Sequence, residues 1–402
     1  MRGSEWVALA ALSALVGVGC GGSTSTGNAT GGSGGTSTGG AGGAGGGGTG
    51  GAGGAGGAGG AGGAGGAGGA GGMAGSGGMG GSGAEVGQPP PPDPNAPPAT
   101  GSTPTTLVMR KIFLGDTDTQ GQPSSTAWRS YGLNVDGLVS TKNSTNHCAP
   151  QKGGVKSSVQ TDGDNGIDNS FGSNVLKIIL SLSPDPTQEL SAAIASGSGT
   201  WLIHLANLGA PAAQNGVQAA LFGAAPVGAP PAWSGGDLRP PTFESVSGGD
   251  ITKPLVTFPQ SYVVGGVWVG SPPANAALDL NVDTQGFGLT FRIRRARVVA
   301  TIVGTGPAAT ATGVVSGVLD TEEYLKQLQQ VAGSFDQTLC EGSTWESVAQ
   351  AFRAASDIMK DGTNGDPSKT CDGISIGLAF EATAAKLGPV AGPVPPPPDY
   401  CK

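Results

Sequence analysis

Charged, aromatic and histidine residues are scarce in this chain of 402 residues. Charged side chains make up 12% of the sequence, aromatic side chains make up 5%, and there are two histidines. The motif His-Glu-x-x-His of zinc proteases is missing, and residues 107–402 contain no phosphate-binding glycine loop. The one Gly-x-Ser-x-Gly match in this range, from Gly373 to Gly377, lies inside a predicted strand and so does not indicate a nucleophile elbow. The motifs that commonly reveal catalysis or nucleotide binding therefore give no function.

Basic residues are fewer than acidic residues. The chain has 20 Lys and Arg against 28 Asp and Glu, which gives a net charge of −8. Nucleic acids and anionic lipid surfaces select for clustered Lys and Arg, so the sequence predicts no nucleic-acid partner. The densest basic group, from Arg292 to Arg297, lies in a strand-like run, and we interpret it as the charged face of a sheet.

The N-terminus contains an apolar run that is too short to cross a membrane. It extends from Trp6 to Val18 behind Arg2, whereas a membrane-spanning helix needs about 20 apolar residues. A short apolar run behind a basic residue is typical of a cleavable export signal. The sequence therefore predicts a signal peptide over residues 1–19.

The signal ends at a cysteine in a recognisable context. The five residues before Cys20 read Leu-Val-Gly-Val-Gly. This segment resembles the lipobox of bacterial lipoproteins, although Gly17 stands where that family usually has a leucine-like residue. The resemblance implies that Cys20 is lipidated and becomes the mature N-terminus, and that Gly21 directs the protein to the outer membrane of the cell envelope. The alternative is an ordinary secretory signal with a cysteine nearby.

A glycine-rich segment follows Cys20. It is mostly a Gly-Gly-Ala repeat with almost no proline, which favours a flexible coil over a collagen helix. Prolines from Pro89 to Pro98 stiffen its last part towards polyproline II. The sequence therefore predicts a lipidated, disordered linker over residues 20–106 and a globular domain over residues 107–402 that the linker holds away from the membrane.

The globular part has the alternating pattern of a mainly β protein. Apolar and polar residues alternate on both sides of a turn between Ala277 and Ile293, which sets Asp279 opposite Arg292. We expect a β-sandwich or open barrel with three or four inserted helices and a proline-rich tail. Other predicted strands cover 107–114, 129–139, 200–208, 262–269, 296–303 and 373–383.

Helix starts are indicated by capping residues. Asp185 precedes a proline, Asp320 is followed by Glu323, and Ser343 is followed by Glu346, which are patterns typical of helix N-termini. The apolar run 175–182 is compatible with either a strand or a helix.

Four cysteines remain in the exported part, namely Cys148, Cys340, Cys371 and Cys401. An even number in an exported domain favours disulfides, and four cysteines allow three pairings. We predict Cys340 with Cys371, which flank a helical segment, and Cys148 with Cys401, which would fasten the tail. Zinc is the alternative, but no Cys-x-x-Cys spacing supports it.

One acidic loop has the composition of an ion site. Asp162, Asp164, Asp168 and Asn169 lie among glycines, and calcium prefers oxygen ligands of this kind from a flexible loop. The spacing is not that of an EF-hand, and a solvated turn capped by its own Asp and Asn side chains is the alternative. Further acidic turn residues that would have to converge on this loop are Asp116, Asp118 and Asp136.

Two functions remain open at this point. The first is an envelope lipoprotein whose domain binds an extracellular ligand or has a structural role, with calcium as a structural ion. The second is a secreted glycan hydrolase that uses paired carboxylates, which would come from among Asp116, Asp118, Asp136, Asp162, Asp164 and Asp168. A hydrolase needs its two carboxylates facing each other across a cleft, so the structure of the acidic loop discriminates between the two.

Overall fold

The computed structural model describes residues 87–402 except 183, 211, 285–286, 334–336 and 396–398. The predicted signal peptide, Cys20 and most of the glycine-rich linker lie outside the described residues. Within the described residues no helix is long and apolar enough to cross a membrane.

The domain is built on a closed antiparallel barrel. Eight strands pair in chain order, and the last of them, β10, pairs back with β1. The barrel strands are β1 (Thr105–Phe113), β2 (Thr200–Leu205), β3 (Gln214–Ala224), β5 (Val256–Val264), β6 (Val267–Gly270), β8 (Phe287–Val303), β9 (Thr310–Asp320) and β10 (Gly373–Leu387). Two strands lie outside the ring: β4 (Leu238–Arg239) pairs with the end of β10, and β7 (Ala277–Thr284) pairs with β8. The predicted mainly β fold is confirmed, and the barrel is closed because β1 bonds to both β2 and β10.

The barrel interior is filled by apolar side chains. Ile374, Ile376 and Leu378 alternate along β10 and belong to the same buried cluster as Trp268 and Phe258. Alternate residues of a strand point to opposite faces, so one face of each strand supplies this core. An eight-stranded barrel is just wide enough for its side chains to fill it.

Helices extend this core beyond the barrel. They are α1 (Lys156–Val159), α2 (Leu176–Leu182), α3 (Pro186–Ala195), α4 (Thr321–Ala332) and α5 (Gly342–Arg353). Ring contacts link Phe171, Phe291, Tyr324 and Phe352 in succession, with centroids 5.4, 5.7 and 5.8 Å apart. The Asp320 carboxylate accepts a hydrogen bond from the Glu323 N–H at 3.3 Å, as a helix N-cap does. A helix follows each of the three predicted starts, and run 175–182 is helical, but the predicted caps hold only at Asp320. Asp185 makes no side-chain capping bond, and α5 begins at Gly342 behind Glu341, so Ser343 lies inside the helix.

The basic group of β8 is divided by a bulge. Arg295 has a φ of 51°, and the pairing with β9 shifts between Arg294 and Arg297. The Arg294 guanidinium therefore reaches Glu323 at 2.7 Å, while Arg297 donates to Gln88 at 2.8 Å. Opposite Arg292 lies Asp279, as predicted. These arginines are held by protein partners.

Two disulfides form, but the predicted pairing is wrong. Cys148 pairs with Cys371, and Cys340 pairs with Cys401. Cys371 lies at the start of β10, where its N–H donates to the Ala149 carbonyl at 2.9 Å, so Cys148 is its neighbour. The chain after α5 returns to the barrel and carries Cys371 away from Cys340, which meets the C-terminal tail instead.

Residues 87–104, expected to be part of the disordered linker, lie along the barrel. The Tyr262 hydroxyl donates to the Pro90 carbonyl at 2.7 Å, and Ala99 and Pro97 exchange backbone hydrogen bonds with Asn215. The ordered chain therefore begins before the boundary predicted at residue 107.

Strand predictions failed at four places. Residues 129–139 form a loop after a short 3-10 turn, because Gly132 and Gly137 adopt φ angles of 125° and 78° that break an extended strand. Strands β3 and β9 were not predicted. The predicted strand 262–269 is divided between β5 and β6 by a turn at Gly265 and Gly266.

Candidate functional site

The predicted acidic loop contributes to a buried group of carboxylates. Asp162 and Asp168 come from this loop, Asp136 from the preceding loop, and Asp357 from the segment after α5; we call these four residues the acidic network. Ser375 ties the network to β10, because Asp357 bonds to both its backbone and its side chain. Ser375 alternates with core residues along the strand, so the network lies on the outer side of the barrel.

Asp168 connects the two loops. One of its carboxylate oxygens accepts hydrogen bonds from the N–H groups of Val135 and Asp136 at 2.6 and 3.2 Å. Its own N–H donates to the Leu133 carbonyl at 3.1 Å, and the residue is 3% exposed. The side chain therefore accepts hydrogen bonds from backbone N–H groups inside the domain.

Asp136 and Asp357 are joined through Asn364. The Asn364 amide donates to the Asp136 carboxylate at 2.9 Å and to the Asp357 carbonyl at 3.1 Å. Asp357 accepts from the N–H and the hydroxyl of Ser375 at 2.8 and 2.5 Å. Asn364 also accepts from the Cys148 N–H at 2.9 Å, which places the Cys148–Cys371 disulfide beside the network.

Asp162 approaches the buried histidine of the loop. Its carboxylate accepts from the Ser140 N–H at 2.5 Å, and the Ser140 hydroxyl contacts His147 Nε2, also at 2.5 Å. The His147 side chain is buried, and its Nδ1 has no hydrogen-bond partner among the described residues. Burial lowers the pKa of His147, against the opposing charge of Asp136, which favours the neutral ring.

The four carboxylates hold protons more tightly than ordinary aspartates. Burial raises the pKa of Asp357 to about 8 and that of Asp162 to about 7. The pKa of Asp168 is raised well above its usual range by burial and by the charges of the other three, and burial also raises the pKa of Asp136. Desolvation and like charges both disfavour ionisation.

The remaining predicted site residues do not join the acidic network. Asp164 pairs with Arg129 at 3.0 Å on the surface. Asp116 accepts from the Thr187 N–H at 3.2 Å and so caps α3, while Asp118 accepts from the N–H groups of its own turn. Of the three further acidic residues named in the sequence analysis, Asp136 alone converges with Asp162 and Asp168.

Asn169 has a structural position. Its amide nitrogen lies 3.0–3.1 Å from the carbonyls of Trp128, Tyr131 and Gly377, and its oxygen accepts from the N–H groups of Gly172 and Gly377 at 2.9 and 3.1 Å. All its side-chain polar atoms are used by the backbone, so Asn169 holds the loop on β10.

Calcium stays a prediction. One carboxylate oxygen each of Asp136, Asp162 and Asp168 accepts from a backbone N–H group, which occupies a lone pair that an ion would need. Among the described residues, no group of three or more His, Cys, Asp or Glu side chains is arranged to hold a metal ion. Sequence reasoning missed Asp357, which has no motif around it, and Asn364, although the stretch from Asp361 to Asp366 reads Asp-Gly-Thr-Asn-Gly-Asp and resembles the predicted acidic loop in composition.

Two surface cavities lie away from the acidic network. The larger, of about 620 Å³, is lined by the mixed charges of α4 and by Lys360, which pairs with Asp320 at 3.4 Å and Asp372 at 3.5 Å. The smaller, of about 360 Å³, is lined by residues 227–231 and 237–239. Neither places two network carboxylates across a cleft.

Comparison with protein-family models, with curated proteins and with solved structures finds no match for this chain. Its function is therefore argued from its own residues.

Proposed function

We propose that this chain is a lipid-anchored protein of the bacterial cell envelope whose β-barrel domain binds an extracellular ligand without catalysing a reaction. Lipidated Cys20 supplies the anchor in the outer membrane, and the glycine-rich linker gives the domain a long reach from the membrane surface. The domain itself is stabilised by disulfides, which persist in oxidising compartments outside the cytoplasm.

The arrangement of the loop carboxylates favours a binding module over a hydrolase. A glycosidase keeps its two carboxyl groups free on opposite sides of a substrate cleft. Here Asp162 and Asp168 are turned inward onto backbone N–H groups, and Asp164 is paired with Arg129 on the surface. These carboxylates stabilise loops, which supports a non-enzymatic domain.

The anchor is tested by replacing the cysteine. We expect Cys20→Ala to abolish metabolic labelling with a radioactive or clickable fatty acid and to move the protein out of the outer-membrane fraction. Gly17→Leu, which brings the segment closer to the lipobox pattern, serves as the control and should keep full labelling. Equal labelling of Cys20→Ala and the parent would contradict the proposed anchor.

The absence of catalysis is tested separately. We expect the purified full chain with Cys20→Ala to release no reducing sugar from cell-envelope polysaccharides. Hydrolysis that is lost in both Asp162→Asn and Asp168→Asn would establish the hydrolase instead. A structural calcium ion is a further proposal, which predicts a lower melting temperature in chelator than in millimolar calcium.

A further inference from the structure

A buried arginine lines the smaller surface cavity. The cavity has a volume of about 360 Å³ and lies where β4 pairs with the end of β10. Sites for small organic molecules start at about this size. Arg239 contributes to its wall although its side chain is 0% exposed.

The Arg239 guanidinium has fewer partners than a buried cation needs. Its Nη2 donates to the Ser198 carbonyl at 3.3 Å, whereas Nε and Nη1 have no hydrogen-bond partner among the described residues. Burial lowers the pKa of Arg239, but guanidinium groups stay charged in proteins. A buried charge is stable when an anion pairs with it, so this site favours an anionic group.

Asp237 also lines the cavity, and its charge raises the pKa of Arg239 against the effect of burial, but its carboxylate is already bonded to backbone N–H groups. One oxygen of Asp237 accepts from the Ala232 N–H at 2.8 Å, and the other accepts from the Ser234 N–H at 3.0 Å. Asp237 therefore clamps the loop that carries Trp233, and neither of its oxygens bonds to Arg239.

Apart from Arg239, Asp237 and Gly228, the residues that line the cavity are apolar. Val227, Ala229, Pro230 and Pro231 line it, together with Leu238, which is 60% exposed. Exposed apolar surface beside a buried cation suits a ligand that carries one negative charge on an apolar body.

Trp233 covers the guanidinium. Its ring centroid lies 5.8 Å from the guanidinium carbon of Arg239, and its backbone has a φ of 55°. Non-glycine residues rarely adopt this left-handed conformation, and such strain is found at ligand-binding segments.

We propose that this cavity binds a small organic carboxylate, with the carboxylate on Arg239 and the apolar chain against Pro230 and Leu238. Trp233 moves off the guanidinium as the carboxylate enters, because Nε and Nη1 are otherwise shielded from solvent. This inference rests on the proposed role of the domain as a binding module and specifies the class of ligand.

Hexanoate is a suitable probe for the full chain carrying Cys20→Ala. We expect calorimetry to detect hexanoate binding and tryptophan fluorescence to change with the same midpoint. The fluorescence change should be lost in Trp233→Phe. Hexan-1-ol and hexylammonium have the same apolar chain without the negative charge, so both should bind at least about tenfold more weakly.

Surface variants test the location without disturbing the core. Leu238→Glu places a negative charge at the cavity, which repels the negative charge of hexanoate. We expect it to weaken hexanoate binding at least about tenfold. Leu255→Glu is the matched control, since Leu255 is 59% exposed outside the cavity, and it should bind as the parent does. Arg239→Gln should lose binding, with circular dichroism to verify its fold.

The proposal is overturned if the folded parent does not bind hexanoate, if hexan-1-ol binds equally well, or if Leu238→Glu binds as tightly as Leu255→Glu. These outcomes are independent of fatty-acid labelling and of polysaccharide hydrolysis. A failure of the carboxylate site is therefore distinguishable from a failure of the proposed function.

Discussion

Asn169 shows how one polar side chain can hold a loop on a sheet. It connects the 3-10 turn at Trp128, the loop at Tyr131 and the strand residue Gly377 through both ends of its amide. It is 2% exposed, so water cannot replace these partners. Removing the amide leaves several buried backbone groups without hydrogen bonds, and such groups are costly.

We therefore expect Asn169→Ala to lower the free energy of unfolding by about 3 kcal/mol. The control in the same loop is Asp164→Ala, which removes an exposed ion pair with Arg129 and should cost less than about 1 kcal/mol. Urea denaturation followed by circular dichroism measures both. Equal stability of the two variants would contradict the structural role of Asn169.

The acidic network gives the domain an unusual dependence on pH. The folded-state pKa of Asp357, about 8, and that of Asp162, about 7, exceed the ordinary value of 3.8. The folded state therefore binds more protons than the unfolded state across this interval. The stabilisation from these groups is present below about pH 4 and is lost as the pH rises towards 8.

Asp357→Asn removes one of these charges while keeping the side-chain shape. We expect it to raise the free energy of unfolding at pH 8.5 by about 1–2 kcal/mol and to flatten the fall in stability between pH 5 and pH 8.5. The exposed Asp366→Asn serves as the control and should keep the parental slope. If the free energy of unfolding of Asp357→Asn falls as steeply with pH as that of the parent, Asp357 does not hold its proton in this interval.

At the scale of elements, the two disulfides fasten different connections. Cys148–Cys371 joins residues 223 positions apart and fixes the loop beside the acidic network to the start of β10. Cys340–Cys401 joins residues 61 positions apart and holds the tail against α4, where the Tyr400 N–H donates to the Gln330 carbonyl at 3.1 Å.

Non-reducing peptide mapping should recover these two pairs. On the chain-entropy model, the longer closure stabilises the folded state by about 5 kcal/mol and the shorter by about 4 kcal/mol. The double variant Cys148→Ala with Cys371→Ala should therefore melt at a lower temperature than Cys340→Ala with Cys401→Ala. A Cys340–Cys371 peptide in the oxidised parent would contradict the structure.

The elements that sequence reasoning predicted are those with a strong local pattern. The hairpin of β7 and β8 has strict alternation, and sequence patterns typical of helix N-termini lie near the starts of α3, α4 and α5, although only Asp320 forms the expected cap. Strand β9 was missed because Gly313, Ser316 and Gly317 interrupt its apolar pattern, although the neighbouring strands pair along its full length. The Gly265–Gly266 turn is a strong hairpin signal, and it should have divided the predicted strand.

The candidate site was partly predictable for the same reason. Asp162 and Asp168 stand out because glycines surround them in a short acidic stretch. Asp357 and Asn364 reach the network from far along the chain, and only the return of the chain from α5 to β10 brings them there. No sequence pattern predicts the cavity at Arg239. The site depends on the burial of the Arg239 guanidinium and on the lack of hydrogen-bond partners for its Nε and Nη1 within the part of the chain that the structure describes, and only the folded structure shows these.

At the scale of the whole molecule, the barrel and the segments laid over it form one ordered unit. The polyproline stretch near residue 90 runs along its surface, loops with buried carboxylates cover part of its outer face, and the C-terminal tail is fastened beside α4. These additions bring both ends of the described chain onto the same domain.

The pairing of β1 with β10 also has a consequence for how the chain folds. Thr106 meets Ala385 across the closing seam, so the first barrel strand of the chain cannot complete its pairing until the last strand is available. Until then β1 and β9 are unpaired edges that can bond to other chains. Contacts this distant in sequence form slowly because a long loop must close first. The protein is therefore most open to pairing with other chains before β1 and β10 join, while its strands form an open sheet.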